Sequence, residues 1–224
     1  MKSRLIASLI AGLVATAALA AGPELKTDED KTLYAIGIVL SDNLAPFSLS
    51  EKDLELVKQG LIDGVLHKER KVDVDAFRPK INEFAKSRVG AAATAEKKAS
   101  EPFLAKAAGE KGAQKTASGL IYTEVKAGDG DAPKATDTVK VHYTGKLTDG
   151  TVFDSSVKRG EPATFPLSGV VKCWTEGLQM MKVGGKATLV CPSDIAYGDQ
   201  GRPPQIKPGA TLVFEVELLE IVKK

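Results

Sequence analysis

Cysteine, histidine and aromatic residues are scarce in this chain of 224 residues, which has two cysteines, two histidines and 5% aromatics. His67 and His142 stand far apart, and neither has cysteine or carboxylate neighbours at the spacing of metal ligands, so no metal site is expected. Neither a glycine-rich phosphate loop nor a nucleophile elbow occurs, and we expect no cofactor. Charge is nearly balanced, with 31 Lys and Arg against 29 Asp and Glu, which argues against nucleic acid as a partner.

The first residues have the pattern of a cleaved secretory signal peptide. Lys2 and Arg4 precede an apolar run over residues 5–14, and Ala18-Leu19-Ala20 matches the small-x-small pattern of a cleavage site. The run is too short and too rich in alanine for a stable membrane span, although an uncleaved anchor helix is the alternative. We expect residues 1–20 to be removed, so that the mature chain begins near Ala21.

From there to about residue 115 the pattern is helical. Thr27 with Asp30, and Ser50 with Asp53, each match the side-chain pattern that caps a helix N-terminus. The two helices that follow carry long apolar faces, but some fifty residues are too few to bury them alone. They either pack on a third helix as a small monomeric bundle or pair with a second copy in a homodimer, and the pattern favours neither.

The third helical segment is unusually long and polar. It is predicted to open at Asp73 or Asp75, and residues 76–108 are mostly good helix formers with hardly any apolar stripe beyond Val89. A helix that is polar nearly all round usually bridges separate bodies. Pro102 is expected to kink or break it, because proline removes a backbone donor. A partly disordered linker is the alternative interpretation.

From residue 118 onward the pattern is that of β-strands with alternating side chains. Strands are predicted at residues 120–125, 138–143, 187–191 and 211–222. Asp149-Gly150 predicts a tight hairpin that returns the chain along residues 151–153. Only one short helix fits this half, at residues 175–181. An antiparallel sheet wrapped on a single helix makes the fold class α+β.

Several separated motifs of this half occur in the order and spacing of one known family. They are Val139-Lys140-Val141-His142-Tyr143-Thr144-Gly145-Lys146-Leu147, Phe153-Asp154-Ser155-Ser156, Ala196-Tyr197-Gly198 and residues 211–218. On these motifs, residues 116–223 resemble the FKBP-type peptidyl-prolyl cis-trans isomerases. The layout of the first half resembles the bacterial group of macrophage infectivity potentiator and FkpA. The resemblance implies a signal peptide at 1–20, a helical dimerisation domain at 21–115 and an isomerase domain at 116–224.

The resemblance also implies an apolar bowl that receives a proline ring. Its catalytic positions are matched by Asp154, Tyr197, Phe153, Trp174 and Phe214. Its substrate-binding positions are matched by Tyr143, Arg159, Val170, Val171 and Ile206. In the family pattern the tryptophan is the floor, the aspartate and the second tyrosine form a polar rim, and the arginine steadies the aspartate. An ordinary role in the hydrophobic core is the alternative for each aromatic residue.

The sequence departs from the family pattern at a few positions. Ala163 replaces an aromatic residue, Gln205 an apolar one, and Arg202 a histidine or small residue. We expect these changes to alter substrate preference and inhibitor affinity more than catalysis. Cys173 replaces the usual glycine before the floor tryptophan, and it either forms a disulfide with Cys191 or both remain buried thiols.

The resemblance implies a periplasmic prolyl isomerase, or rotamase, without a cofactor. Its substrates would be proline-containing unfolded or partly folded polypeptides, and macrolides of the FKBP-binding class would inhibit it. It would be a homodimer through its N-terminal helices, with association with the outer membrane left open. A holdase chaperone is the rival function, and a host-interaction factor rests on analogy alone.

Overall fold

The computed structural model describes residues 24–222, so the predicted signal peptide and its cleavage region lie outside the described residues. The chain divides between Val39 and Leu40 into two units. The first contains most of helix α1 (Asp28–Ser41), and the second contains α2 (Glu51–Val65), α3 (Val74–Ala108) and all later elements. Within residues 24–222, no helix is both long and apolar enough to cross a membrane.

Both predicted capping pairs are present. At the start of α1, the Asp30 amide donates to Oγ1 of Thr27 over 3.0 Å, and the Thr27 amide donates to Oδ2 of Asp30 over 2.8 Å. At the start of α2, the amides of Asp53 and Ser50 donate to each other's side chains over 3.2 and 3.1 Å. Each exchange satisfies two backbone donors that a helix N-terminus leaves free, which is why the helices begin here.

Helix α3 is continuous over 35 residues, or roughly 50 Å. It begins after Asp73, whose carboxylate accepts the amides of Asp75 and Ala76. Of the kink or break expected at Pro102, the break is wrong, because the helix continues through this residue. The alternative interpretation as a partly disordered linker is also wrong. Residues beyond the proline pack against the sheet, and this packing compensates for the lost backbone donor. The residues of this contact are Phe103, Leu104, Ala107, Ile121 and Val190.

One face of the C-terminal two thirds of α3 is docked on the rest of the chain, which corrects the expectation of a helix that is polar nearly all round. Val89, Ala93, Ser100 and Ala107 recur at helical spacing and are all buried. The backbones come close together at Ala93, because a Cβ atom at Gly209 would lie 2.4 Å from the Ala93 carbonyl oxygen. Small residues let the helix backbone come this near, and their weak hydropathy is the reason the sequence pattern did not reveal the buried stripe.

After α3, the described chain to residue 222 is built on a twisted sheet of seven strands, and all its pairings are antiparallel. The strands are β1 (Ala113–Lys115), β2 (Ile121–Lys126), β3 (Thr138–Leu147), β4 (Val152–Ser155), β5 (Ala163–Pro166), β6 (Lys186–Cys191) and β7 (Leu212–Val222). Their order is β1-β2-β6-β7-β3-β4, with β5 paired to β3. The predicted strands are confirmed as β2, β3, β6 and β7, and the hairpin at Asp149-Gly150 leads into β4. The sequence missed β1 and β5, which have only three and four residues.

One face of the sheet wraps around helix α5 (Lys172–Gln179). This helix begins three residues earlier than predicted, because the amides of Trp174 and Thr175 already bond to the Val171 carbonyl over 2.9 and 3.1 Å. Gly177 brings the helix against β6, since a Cβ atom there would lie 2.7 Å from Cδ2 of Leu189. A second short helix, α4 (Ser156–Arg159), was not predicted. The structure thus confirms the α+β class and the long connecting helix.

Candidate active site

A cavity of about 330 Å³ opens between β3, β4, α5 and the loop that precedes β7. Its lining consists of Tyr143, Phe153, Asp154, Phe165, Gly169, Val170, Val171, Trp174, Tyr197, Arg202 and Phe214. Eight of the ten residues that the sequence assigned to the site are therefore brought together here. Cavities of this size hold small ligands or single side chains, and an apolar lining with few polar groups is typical of binding sites.

The floor of the cavity is Trp174, which is 4% exposed and is held by three other rings. The ring centroids of Tyr143, Phe165 and Phe214 lie 5.1, 5.6 and 5.4 Å from that of the indole, all nearly perpendicular to it. Edge-to-face contacts of this kind add to the stabilisation from burial alone. The tryptophan is therefore fixed in one orientation, with its surroundings apolar on several sides.

The outer wall depends on Gly145, which sequence reasoning missed. This residue lies in β3 opposite Phe214 of β7 and Asp154 of β4. A Cβ atom on Gly145 would lie 2.6 Å from Cζ of Phe153 and 3.0 Å from Cε1 of Phe214, whose rings meet edge to face at 5.8 Å. A glycine inside a strand often marks such a close approach, and that was the available signal.

The polar rim is a three-residue cluster. The carboxylate of Asp154 accepts a hydrogen bond from the Tyr143 hydroxyl and another from the Arg159 guanidinium. Arg159 also donates from Nη2 to the Tyr143 hydroxyl oxygen over 3.2 Å, which closes the triangle. Because each group bonds to both others, the carboxylate is held in place at the cavity edge.

The cluster keeps Asp154 ionised. Partial burial by itself raises the pKa of this carboxyl, but the hydrogen bonds from Tyr143 and Arg159 and the positive charge of Arg159 outweigh it, and the net pKa is lowered. Burial first, and then the bond to Asp154, raises the pKa of the Tyr143 hydroxyl, which therefore stays protonated at neutral pH. The rim thus holds an ionised acceptor, Asp154, to which the protonated Tyr143 hydroxyl donates, rather than a proton in transit.

Tyr197 is half-buried and belongs to the same lining. Among residues 24–222 its hydroxyl has no hydrogen-bond partner, so it is available to a ligand. Its loop is attached to α3, because Nζ of Lys97 lies 2.7 Å from Oδ1 of Asp194 and 2.7 Å from Oδ1 of Asp199. These carboxylates flank the tyrosine in sequence and raise the pKa of Lys97.

Two of the residues that the sequence assigned to the site lie outside the lining. Ile206 is 3% exposed and belongs to the hydrophobic core beneath the loop, where its backbone bonds to that of Arg202. Arg159 belongs to the rim cluster but does not line the cavity, and it acts on the cavity through Asp154 and Tyr143.

The lining also contains Phe165, Gly169 and Arg202, which were absent from the expected site residues. Phe165 could have been found from strand alternation, because it lies two residues after Ala163 in β5 and so points to the same side. The sequence had singled out Arg202 only as a departure from the family pattern.

A disulfide lies directly beneath the floor. Cys173, adjacent to Trp174 in the first turn of α5, is bonded to Cys191 at the end of β6, with Cα atoms 5.8 Å apart. Both residues are fully buried. Of the two alternatives, a disulfide or two buried thiols, the structure contains the disulfide, which ties the start of α5 to the sheet.

Comparisons with known proteins agree with this architecture. Residues 130–219 match the family described as FKBP-type peptidyl-prolyl cis-trans isomerase, and residues 29–123 match the domain amino terminal to FKBP-type peptidyl-prolyl isomerase. The FKBP-type peptidyl-prolyl cis-trans isomerase FkpA of Aeromonas hydrophila is 43% identical over 212 residues, covering 89% of this chain and 79% of the relative. The peptidyl-prolyl cis-trans isomerase Mip of Coxiella burnetii is 36% identical over the full length of both chains.

A solved structure extends the similarity to three dimensions. The crystal structure of FkpA from Escherichia coli aligns with a TM-score of 0.64 at 37% identity, covering 88% of this chain and 98% of the other. Both halves of the chain thus match the same group of proteins. The chain belongs to the FKBP-type peptidyl-prolyl cis-trans isomerase family, in the group that contains FkpA and Mip.

Proposed function

We propose that this protein catalyses cis-trans isomerisation of X–Pro bonds in unfolded or partly folded exported polypeptides. The observation that carries the proposal is the apolar cavity floored by Trp174, with Asp154 and the free hydroxyl of Tyr197 at its edge. The cavity has room for a proline ring, and its polar groups are few and placed at the mouth. Membership of the family favours isomerisation over the rival holdase function as the main activity.

The reaction is a rotation, so the site must stabilise a shape rather than form a bond. Conjugation gives the amide a rotational barrier of ~18–20 kcal/mol, and X–Pro isomerisation takes tens to hundreds of seconds unaided. A twisted amide loses its charge-separated resonance form and becomes less polar. An apolar cavity that excludes water therefore binds the twisted state better than the planar one, which lowers the barrier. An acceleration of about 10⁵ requires roughly 7 kcal/mol of such preference.

Each residue of the site has a role in this scheme. The proline ring rests on Trp174, between the walls formed by Tyr143, Phe153, Val170, Val171 and Phe214. The Tyr197 hydroxyl donates a hydrogen bond to the client's carbonyl oxygen. The ionised Asp154 faces a client amide or accepts a hydrogen bond from it. Arg159 positions Asp154, and Ile206 anchors the loop above the cavity from the core side.

We propose the division predicted from sequence, with a helical dimerisation domain at 21–115 and an isomerase domain at 116–224. Large apolar side chains on both N-terminal helices support a homodimer, because they remain exposed in the single chain. On α1 Leu33 is 61% exposed, and on α2 Leu56 is 75% exposed. A second copy covering these faces would remove them from water at a gain of about 25 cal/mol per Å². The same faces could also hold unfolded clients, as a chaperone activity beside catalysis.

The periplasm is the proposed compartment. The signal-peptide pattern of residues 1–20 supports export, and the disulfide between Cys173 and Cys191 is a bond that persists in oxidising compartments. Macrolides of the FKBP-binding class are expected to occupy the cavity and compete with clients.

Refolding of a protein whose slow phase is prolyl isomerisation tests the proposal. Catalytic amounts of the dimer should raise the rate of that phase in proportion to enzyme concentration, and a saturating macrolide should remove the effect. A slow phase that is unchanged by the folded enzyme would contradict the proposal. Aggregation suppressed without any change of rate would instead support the holdase function.

A further inference from the structure

Arg202 brings a charged side chain to the mouth of the cavity. Its backbone is fixed, because its amide donates to the Ile206 carbonyl over 2.8 Å and the Ile206 amide donates to the Arg202 carbonyl over 3.0 Å. Ile206 in turn is anchored in the core. The backbone of Arg202 is therefore fixed by the loop, whereas the exposed guanidinium is in contact with solvent at the entrance of the cavity.

The guanidinium of Arg202 is uncompensated. Within residues 24–222 it forms no salt bridge, and the carboxylate across the cavity, Asp154, is already neutralised by Arg159. The neighbouring aspartates Asp194 and Asp199 are both bonded to Lys97. Asp154 and Arg202 are the charged members of the lining, so the mouth carries an excess positive charge.

We propose that Arg202 makes the site selective for clients with an acidic side chain next to the isomerised proline. A proline seated on Trp174 leaves its neighbouring residue at the mouth, within reach of a long arginine side chain. A guanidinium binds a carboxylate through two parallel hydrogen bonds, a geometry that lysine and neutral residues do not offer. This inference rests on the proposed function, since it concerns the same site and the same reaction.

The expected size of the effect is modest. The pair would form at the edge of the cavity in contact with water, where measured ion pairs correspond to about two- to five-fold changes in an equilibrium or rate. Attraction of the acidic client towards the mouth acts mainly on association, so we expect the change in KM rather than in kcat.

The test uses full-length enzyme and pairs of short peptides with blocked, uncharged termini, in which glutamate or glutamine precedes or follows the proline. The wild type should show a kcat/KM about two- to five-fold higher for glutamate than for glutamine in at least one position. In Arg202→Gln the kcat/KM values for the glutamate and glutamine peptides should be equal. Lys207→Gln is the matched control, because it removes one positive charge from the same loop. The charge of Lys207 acts on Asp149 of the hairpin, and Lys207 lies outside the cavity lining.

Salt provides a second readout. The glutamate-to-glutamine ratio of the wild type should fall towards one as the screening length shortens from about 30 Å at 0.01 M to about 3 Å at 1 M salt. Two results would overturn the proposed role of Arg202 and leave the isomerase function intact. One is equal wild-type rates on both peptides in both positions, and the other is a ratio that persists in Arg202→Gln. Absence of catalysis on every peptide would overturn the isomerase function and the inference with it.

Discussion

A side-chain carbon at Gly145 would lie 2.6 Å from Cζ of Phe153, so this wall of the cavity exists because one strand position has no side chain. We predict that Gly145→Ala displaces the phenylalanine ring and lowers kcat/KM by about tenfold or more, the effect of misplacing a group by about an ångström. Overpacking should also lower the free energy of unfolding by about 1–3 kcal/mol.

Enzyme kinetics and denaturant unfolding of Gly145→Ala check this prediction. Gly90→Ala is the matched control, because nothing lies within 4 Å of a Cβ atom at that helical position. In the helix the alanine should be neutral or stabilising by up to about 1 kcal/mol. A Gly145→Ala enzyme with wild-type kinetics would show that the wall does not shape catalysis.

The polar rim predicts how activity depends on pH. The pKa of Asp154 is lowered in the folded protein. Its ionised state and the stability that this state contributes are therefore fully present above the usual pKa of a carboxyl group, about 4. Both are lost as the pH falls through the lower, folded value. We therefore expect kcat/KM to be flat from about pH 5 upward with respect to this group, and to fall only in more acidic solution.

Tyr143→Phe tests the cause of that shift. Removing the hydroxyl takes away a hydrogen bond that lowers the pKa of Asp154, so the acid limb of the kcat/KM profile should move to higher pH. Asp154→Asn should be less active, and its kcat/KM profile should have no acid limb from this group. Circular dichroism at each pH separates titration from unfolding. An acid limb that stays in place in Tyr143→Phe would contradict the assigned hydrogen bond.

The disulfide predicts a stability that depends on redox conditions. Cys173 and Cys191 are 18 residues apart, and a loop of this size corresponds to roughly 3 kcal/mol in the chain-entropy model. Cys173→Ala/Cys191→Ala should therefore unfold at lower denaturant concentration, and added reductant should shift the wild type but leave the double variant unchanged. Identical midpoints for the oxidised and reduced wild type would contradict a stabilising role.

The ion pairs of Lys97 predict that α3 restrains the loop of Tyr197. Lys97→Met should increase amide hydrogen exchange over residues 193–200, because both carboxylates that flank the tyrosine lose their partner. Lys98→Met is the control, since Lys98 is exposed and forms no salt bridge within the described chain. Equal hydrogen exchange in the two variants would show that the ion pairs of Lys97 do not restrain the loop.

The sequence predicted the isomerase half well because its signals are short and local. Side chains alternate along most of β3 and the first half of β7, and Asp149-Gly150 fits a hairpin. The floor and rim residues fall within recognisable motifs. Capping pairs were equally readable, since each is complete within four residues.

The missed features depend on contacts between distant residues. The buried stripe of α3 is made of small residues such as Ala93 and Ala107, whose composition alone looks like that of a solvated helix. Gly145 acquires its meaning only when Phe153 and Phe214 meet over it. Ile206 shows the converse, because an apolar residue beside the cavity can serve the core instead.

Whether this cavity catalyses prolyl isomerisation is tested best by a protease-free assay on the mature protein, with Asp154→Ala and Trp174→Ala measured beside it. We predict catalysis by the wild type and a large loss in both variants while circular dichroism shows that their folds persist. Loss of the floor should be the more severe, because it removes the surface on which the proline rests. A folded wild type without catalysis, or a folded Trp174→Ala enzyme as fast as the wild type, would contradict the account.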